Sequence, residues 1–362
     1  MSPFRKNIAA ALAVLTLTLT GCSTRANGYY YYEKKSFENY SLAALSEGKP
    51  EANQADPRAL LEQSVTGHHP QNAGASKEEA VYHKATVNVP LKNVYVTSLP
   101  SSRVVDTLAK GEEIEVAYYT DLFWMVKKRG IFLGYCESDG IYSGIWDNYY
   151  AFLPEESGFA RNADGEMVAA TSHLVDVRLY TDAFKIKMKL ATDGTSIGKP
   201  FYNRNLCMLQ YDTLQKLLVA ADLFAKDGYT IVIYDAYRPT SVQQRWFDVI
   251  RVHKWVADPS IGMGGIHDRG TAVDMTLMDS NGVELDMPTA MHTLTEASSR
   301  SVAMTAVQKQ NVNYMTNIMV QCGFDYIRSE WWHFQDTNTV NYLPTDHPID
   351  EIPLVYMEGG QP

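Results

Sequence analysis

The sequence predicts an α+β domain on a small, mainly antiparallel sheet, preceded by a small all-β barrel, and three patterns carry that expectation. Residues 83–142 hold short β-type runs, among them Ala85-Thr86-Val87-Asn88-Val89, Ile114-Glu115-Val116-Ala117-Tyr118 and Phe123-Trp124-Met125-Val126. Turn residues such as Lys110-Gly111-Glu112 and Arg129-Gly130 separate them. Further on, Leu214, Leu217, Leu218, Ala221 and Phe224 recur at spacings of three and four with Gly228 as a stop, which predicts a helix just before the apolar run 229–234. Val273, Met275 and Leu277 alternate as a strand does. A second helix is expected after Pro239, and Val302, Ala306, Tyr314, Ile318 and Met319 predict a third, ended by Gly323. In the barrel, Trp124 is expected in the core, because so small a β unit needs its large aromatics inside.

The chain has 362 residues and a formal charge of −10, so it lacks the basic surplus that nucleic-acid binding favours. Nucleic acid is not an expected partner. Arg5 and Lys6 precede an apolar run over residues 8–19, too short to span a bilayer comfortably, and Leu19-Thr20-Gly21-Cys22 reads as a cleavage box. This start is similar to a bacterial lipoprotein signal over residues 1–21. Cleavage before Cys22 and acylation of its thiol would leave an exported protein lipid-anchored to the cell envelope, at the periplasmic face or the cell surface. An ordinary secretory signal with an incidental cysteine is the alternative. Residues 22–80 read as a tether. Four tyrosines at 29–32 are followed there by Glu, Asn, Ser, Pro and Gly without sustained periodicity, too little apolar surface to offset ordering.

Three cysteines remain once Cys22 is set aside: Cys136, Cys207 and Cys322, with no ligand-like spacing. They read as buried thiols, with a Cys207–Cys322 bond conceivable in an exported protein.

The chemistry concentrates in two short segments. Gly265-Ile266-His267-Asp268-Arg269-Gly270-Thr271-Ala272-Val273-Asp274 sets a histidine seven residues before an aspartate, and Ser329-Glu330-Trp331-Trp332-His333-Phe334 sets a carboxylate three before a histidine. Each pair alone suits an ordinary structural contact. Together, two imidazoles and one carboxylate give a divalent ion three ligands and leave a fourth position for water, with Glu330 free to take that water's proton. Residues three apart on a regular strand point to opposite faces, so Glu330 is expected at a bend just before the strand that carries His333. Between the run 229–234 and the next helix lies Asp235-Ala236-Tyr237-Arg238-Pro239. Arg238 there either stabilises an oxyanion or pairs with Asp235 to shape a turn.

Arg-Pro after a strand, then His-x6-Asp, then Glu-Trp-Trp-His resembles the zinc D-alanyl-D-alanine dipeptidases of the VanX type, within the broader zinc D,D-peptidases. Gly198-Lys199-Pro200-Phe201-Tyr202 and Leu190-Ala191-Thr192 add weaker matches. The catalytic domain expected from the resemblance spans residues 165–350. It implies one Zn²⁺ per chain on His267, Asp274 and His333, Glu330 as catalytic base, Arg238 at the oxyanion, and hydrolysis of D-Ala-D-Ala. A D,D-carboxypeptidase or endopeptidase acting on peptidoglycan-derived peptides, and a non-catalytic peptidoglycan-binding lipoprotein, are the alternatives. Two departures concern specificity: Gly194-Thr195-Ser196 replaces an Asp-Asn-Phe segment, and Met291-His292 replaces an aromatic-Asp pair near the substrate amine. Residues 83–145 resemble a bacterial Src-homology-three-like barrel through the Thr-Val-Asn-Val start, the Leu108-Ala109-Lys110-Gly111 turn, Trp124 and Gly134-Tyr135. That resemblance implies peptidoglycan as a partner of the barrel.

Overall fold

The computed structural model describes residues 76–356, apart from 79, 81, 100, 120–122, 138–140, 143–148, 193–194, 196 and 262–264. The expected signal, Cys22 and most of the tether therefore lie outside the described residues. The described residues belong to one compact unit that runs from Ala55 to Pro362.

Its N-terminal part is all β. Strands β1 (His83–Val87), β2 (Leu91–Tyr95), β3 (Val104–Ala109), β4 (Glu113–Tyr118), β5 (Phe123–Lys128), β6 (Ile131–Glu137) and β7 (Ile141–Tyr142) form a seven-stranded sheet in the order β3-β2-β6-β5-β4-β1-β7. The all-β expectation holds, and the sheet is not closed into a barrel among the described residues. No pairing joins β3 to β7 among the described residues, and a single residue pair, Tyr95 with Tyr135, links β2 to β6. Trp124 is buried as expected, within a cluster that also takes Val87, Leu108 and Ile141. The turn Arg129-Gly130 has positive φ at both residues, the left-handed backbone conformation that lets a two-residue hairpin loop follow the right-handed twist of β5 and β6.

The C-terminal part carries a five-stranded sheet. Strands β8 (Lys185–Ile186), β9 (Thr230–Asp235), β10 (Ala272–Met278), β11 (Phe324–Tyr326) and β12 (His333–Asp336) order as β8-β9-β10-β12-β11, with only β8 and β9 parallel. The mainly antiparallel expectation holds. Helix α1 (Tyr211–Lys226) buries Leu214, Leu217, Ala221 and Phe224 on one stripe, and Gly228 adopts φ +82 just past its end. Helix α2 (Thr240–Ile250) follows Pro239. Helix α3 (Ala306–Gln321) starts later than the apolar pattern from Val302 suggested, because Thr305 and Gln308 form a capping box that sets its first turn.

Every residue of β10 except Met278 is buried, so the strand is covered on both faces. Val273, Met275 and Leu277 join the apolar cluster with Leu217 of α1 and Met315 of α3. Ala272, Asp274 and Thr276 alternate to the opposite face, where the polar chemistry collects. Cys136, Cys207 and Cys322 are all free and buried, so the conceivable Cys207–Cys322 bond is absent.

Candidate metal centre

Register builds the centre. Asp274 on β10 sits directly opposite His333 on β12 and Asp235 on β9, and opposed residues of an antiparallel pair share a face. A register shift between Ile233 and Asp235 bends β9 at this point. His267 arrives from a short 3-10 turn (His267–Arg269) closed by Gly270 at φ +67. A Cβ at Gly270 would come within 2.3 Å of the Leu174 side chain, so glycine is required on packing as well as on φ.

The donors converge. His267 Nε2 lies 3.3 Å from His333 Nδ1 and 3.4 Å from Asp274 Oδ1, and His333 Nδ1 lies 3.1 Å from the same oxygen. All three ligand atoms fall within 4.8 Å of one another, and all three residues are buried. The outer ring nitrogens decide which atoms face inward. His267 Nδ1 is 2.7 Å from the Ala236 carbonyl, which can only accept, and His333 Nε2 is 3.2 Å from Gln335 Oε1. Those contacts place the ring protons outside and turn two imidazole lone pairs toward the carboxylate, a set that a divalent cation completes.

Glu330 lies in the bend between β11 and β12, outside both strands. Its Oε2 accepts a hydrogen bond from Trp332 Nε1 at 3.1 Å. Burial drives its carboxyl up to about 7; His333 and Arg238 oppose the shift, and the Asp274 charge adds to it. Arg238 is held by its backbone N–H, which donates to the His267 carbonyl at 3.1 Å, and by its guanidinium, 4.5 Å from the Trp246 ring. The pairing of Arg238 with Asp235 is present. Its Nε is 3.4 Å from Asp235 Oδ2, but neither atom makes a hydrogen bond, so Asp235 balances the charge without consuming the donor fork.

Asp235, Asp274 and His292 also converge. Arg238 already neutralises Asp235, and His292 Nε2 already lies 2.9 Å from Asp274 Oδ2, so this triad is an ion-pair network rather than a second cation site. A cavity of about 360 Å³ opens on the same face of the sheet, lined by Lys189, Tyr234, Thr276, Glu284, Met291 and Trp331 among others. Its lining includes Met291 and Trp331, the sequence neighbours of His292 and Glu330, but none of the five expected site residues.

Two contributors were not anticipated. Arg300 Nε donates to the carbonyls of Ile327 and Glu330, both at 3.1 Å, and its Nη2 donates to the His333 carbonyl at 3.2 Å. His292, noted in the sequence only as a departure, bonds the Asp274 carboxylate. No local motif marks an arginine thirty residues from the backbone it grips.

Titration of the centre gives a first test. Without metal, burial raises Asp268 and Glu330 to about 7 each. His333 is raised as well: burial lowers it, but the Asp274 carboxylate more than offsets that. A group raised on folding adds stability below its unfolded value and loses it as pH climbs through its folded value. Asp274 is shifted well down, so its own contribution is lost only at lower pH. The melting temperature of chelator-treated protein is therefore expected to fall between about pH 5 and pH 8. Thermal unfolding across that range checks it, and a rising melting temperature would mean that these groups are solvated.

The profile described as D-ala-D-ala dipeptidase matches residues 170–351, half of the chain. The chain belongs to this peptidase family. It is 34% identical over 175 residues to the D-alanyl-D-alanine dipeptidase of Escherichia coli (strain K12), covering 48% of this chain and 89% of that protein. It is 26% identical over 166 residues to the enzyme of the same name from Enterococcus faecium, covering 40% and 82%. A crystal structure of a vancomycin-resistance D,D-pentapeptidase VanY mutant in complex with Zn(II) aligns at 15% identity over 36% of this chain and 74% of its own. The TM-score there is 0.25, too low to carry an argument.

Proposed function

We propose that this member of the D-Ala-D-Ala dipeptidase family is a zinc-dependent D-alanyl-D-alanine dipeptidase of the bacterial cell envelope. The observation that carries the reading is the convergence of His267 Nε2, His333 Nδ1 and Asp274 Oδ1 beside the buried carboxyl of Glu330. Two inward lone pairs and one carboxylate oxygen suit Zn²⁺, which when bound polarises a carbonyl and lowers the pKa of water. Glu330 takes a proton from the attacking water and returns it to the leaving amine. Its raised carboxyl suits it to both halves of that transfer near neutral pH. Arg238 presents a charged, planar donor fork to the oxygen that gains negative charge. The aromatic rings of Trp246 and Trp332 back these two groups and limit their rotamers.

The dipeptide assignment rests on the two D-alanyl-D-alanine dipeptidases matched over most of their own length. Further proposals are that a lipid on Cys22 anchors the chain to the envelope and that the N-terminal sheet is a Src-homology-three-like module that meets peptidoglycan. The signal-like start supports the first. The buried Trp124 and the turn pattern support the second. Product analysis separates the catalytic alternatives. D-Ala-D-Ala is expected to be cleaved faster than its N-acetyl form, and a pentapeptide stem more slowly still. Equal kcat/KM for the free and N-acetylated dipeptide would favour a D,D-carboxypeptidase.

A further inference from the structure

His292 carries two local penalties at once. It has φ +58, and the other non-glycine residues with positive φ among those described, Arg129 and Arg251, are exposed at a hairpin turn and a helix end. Its Nδ1 is buried without a hydrogen-bond partner. A left-handed backbone at a non-glycine residue and an unsatisfied buried nitrogen are each destabilising, and such features persist only where surrounding contacts enforce them. The enforcement is visible: Lys189 Nζ holds the neighbouring Met291 carbonyl at 2.7 Å. The imidazole packs between Trp246, at 5.5 Å between centroids, and Trp332, at 5.8 Å. Those are the two rings that carry Arg238 and bond Glu330.

The gain is a single contact. His292 Nε2 is 2.9 Å from Asp274 Oδ2, and a carboxylate oxygen only accepts, so Nε2 carries the proton. Asp274 Oδ1 meanwhile lies 3.1 Å from His333 Nδ1 and 3.4 Å from His267 Nε2. A carboxylate with one oxygen tied back cannot turn its second oxygen toward an ion at the first.

We propose that His292 is a positioning residue for the metal carboxylate: its Nε2–H holds Asp274 Oδ2 so that Oδ1 alone is presented between His267 and His333. The inference rests on the reading of His267, Asp274 and His333 as the ion's ligands. It gives the imidazole a task, fixing how many oxygens the ligand offers, that a contact to substrate would not require. Groups bonded to a ligand in this way commonly set metal affinity by about 10- to 100-fold.

The test is metal binding by the full chain, stripped and titrated with Zn²⁺ against a chelator, with Co²⁺ substitution to read coordination number from its absorption. The parent is expected to take one ion per chain. His292→Phe keeps a ring between the two tryptophans and removes only the donor, so its Zn²⁺ affinity should drop about 10- to 100-fold. Its Co²⁺ spectrum should shift toward higher coordination as Asp274 becomes bidentate. His292→Gln, which keeps an N–H at similar reach, should retain most of the affinity, whereas His292→Met, of equal length without the donor, should not. The Gln and Met pair decides the matter even if the Phe variant fails to fold. Phe binding within twofold of the parent, or Gln and Met binding alike, overturns the role of His292 while leaving the metal site intact. A parent that takes up no ion overturns the site itself.

Discussion

Glu330→Gln is expected to abolish turnover while the protein still binds one metal ion per chain. The amide keeps the carboxylate's shape and can still accept the Trp332 N–H, but it cannot take a proton from water. Loss of a positioned general base commonly costs about 10²- to 10⁴-fold in rate. His267→Ala supplies the contrast, since removing an inward-facing ligand nitrogen should release the ion. Elemental analysis beside kcat separates the two defects. Near-normal turnover in Glu330→Gln would remove Glu330 as the base, and loss of the ion from that variant would make it a ligand.

Arg238→Lys is expected to lower kcat far more than it raises KM. Lysine keeps the charge that Asp235 and Glu330 experience but loses the planar fork and the stacking on Trp246. Removal of one oxyanion donor is worth about 2–4 kcal/mol of transition-state stabilisation. Steady-state kinetics on the dipeptide reads this directly. A change confined to KM would show that Arg238 grips the ground-state substrate, and no change in either constant would leave it only the turn-shaping pair with Asp235.

The parts of this site legible in the sequence were those with short-range signatures. His267, Asp274, Glu330 and His333 sit in two segments whose co-occurrence suggested a site, and the placement of Glu330 at a bend followed from strand parity. The helix before residues 229–234 was legible because its apolar stripe and stop residue are local, and the one after them because Pro239 marks its start. Closure of the N-terminal strands was not, since it depends on pairing between β3 and β7, which lie far apart in the chain and carry no marker of partnership. The state of Cys207 and Cys322 was likewise a matter of tertiary distance. His292 was noticed only as a departure, because the contact that gives it meaning, to Asp274 eighteen residues earlier, crosses between a loop and a strand. The same holds for the two tryptophans: Trp332 is adjacent to the motif's histidine, but its bond to Glu330 depends on the bend between them.

The Arg300 clamp determines when the ordering of this segment takes place. Irregular backbone between two strands normally samples many conformations, and a base carried on it would have to be arrested each time substrate arrived, at the expense of binding energy. Here one side chain bonds the carbonyls at 327, 330 and 333 and the Thr316 hydroxyl. The guanidinium also lies 4.8 Å from the Tyr326 ring and 4.9 Å from the Phe334 ring. The conformational entropy of the segment is thus surrendered during folding, when helix α3 docks and brings Thr316 into reach, and not during catalysis. Glu330 and His333, the proposed base and third ligand, are thereby held as one preorganised body through a helix that carries none of the proposed site residues.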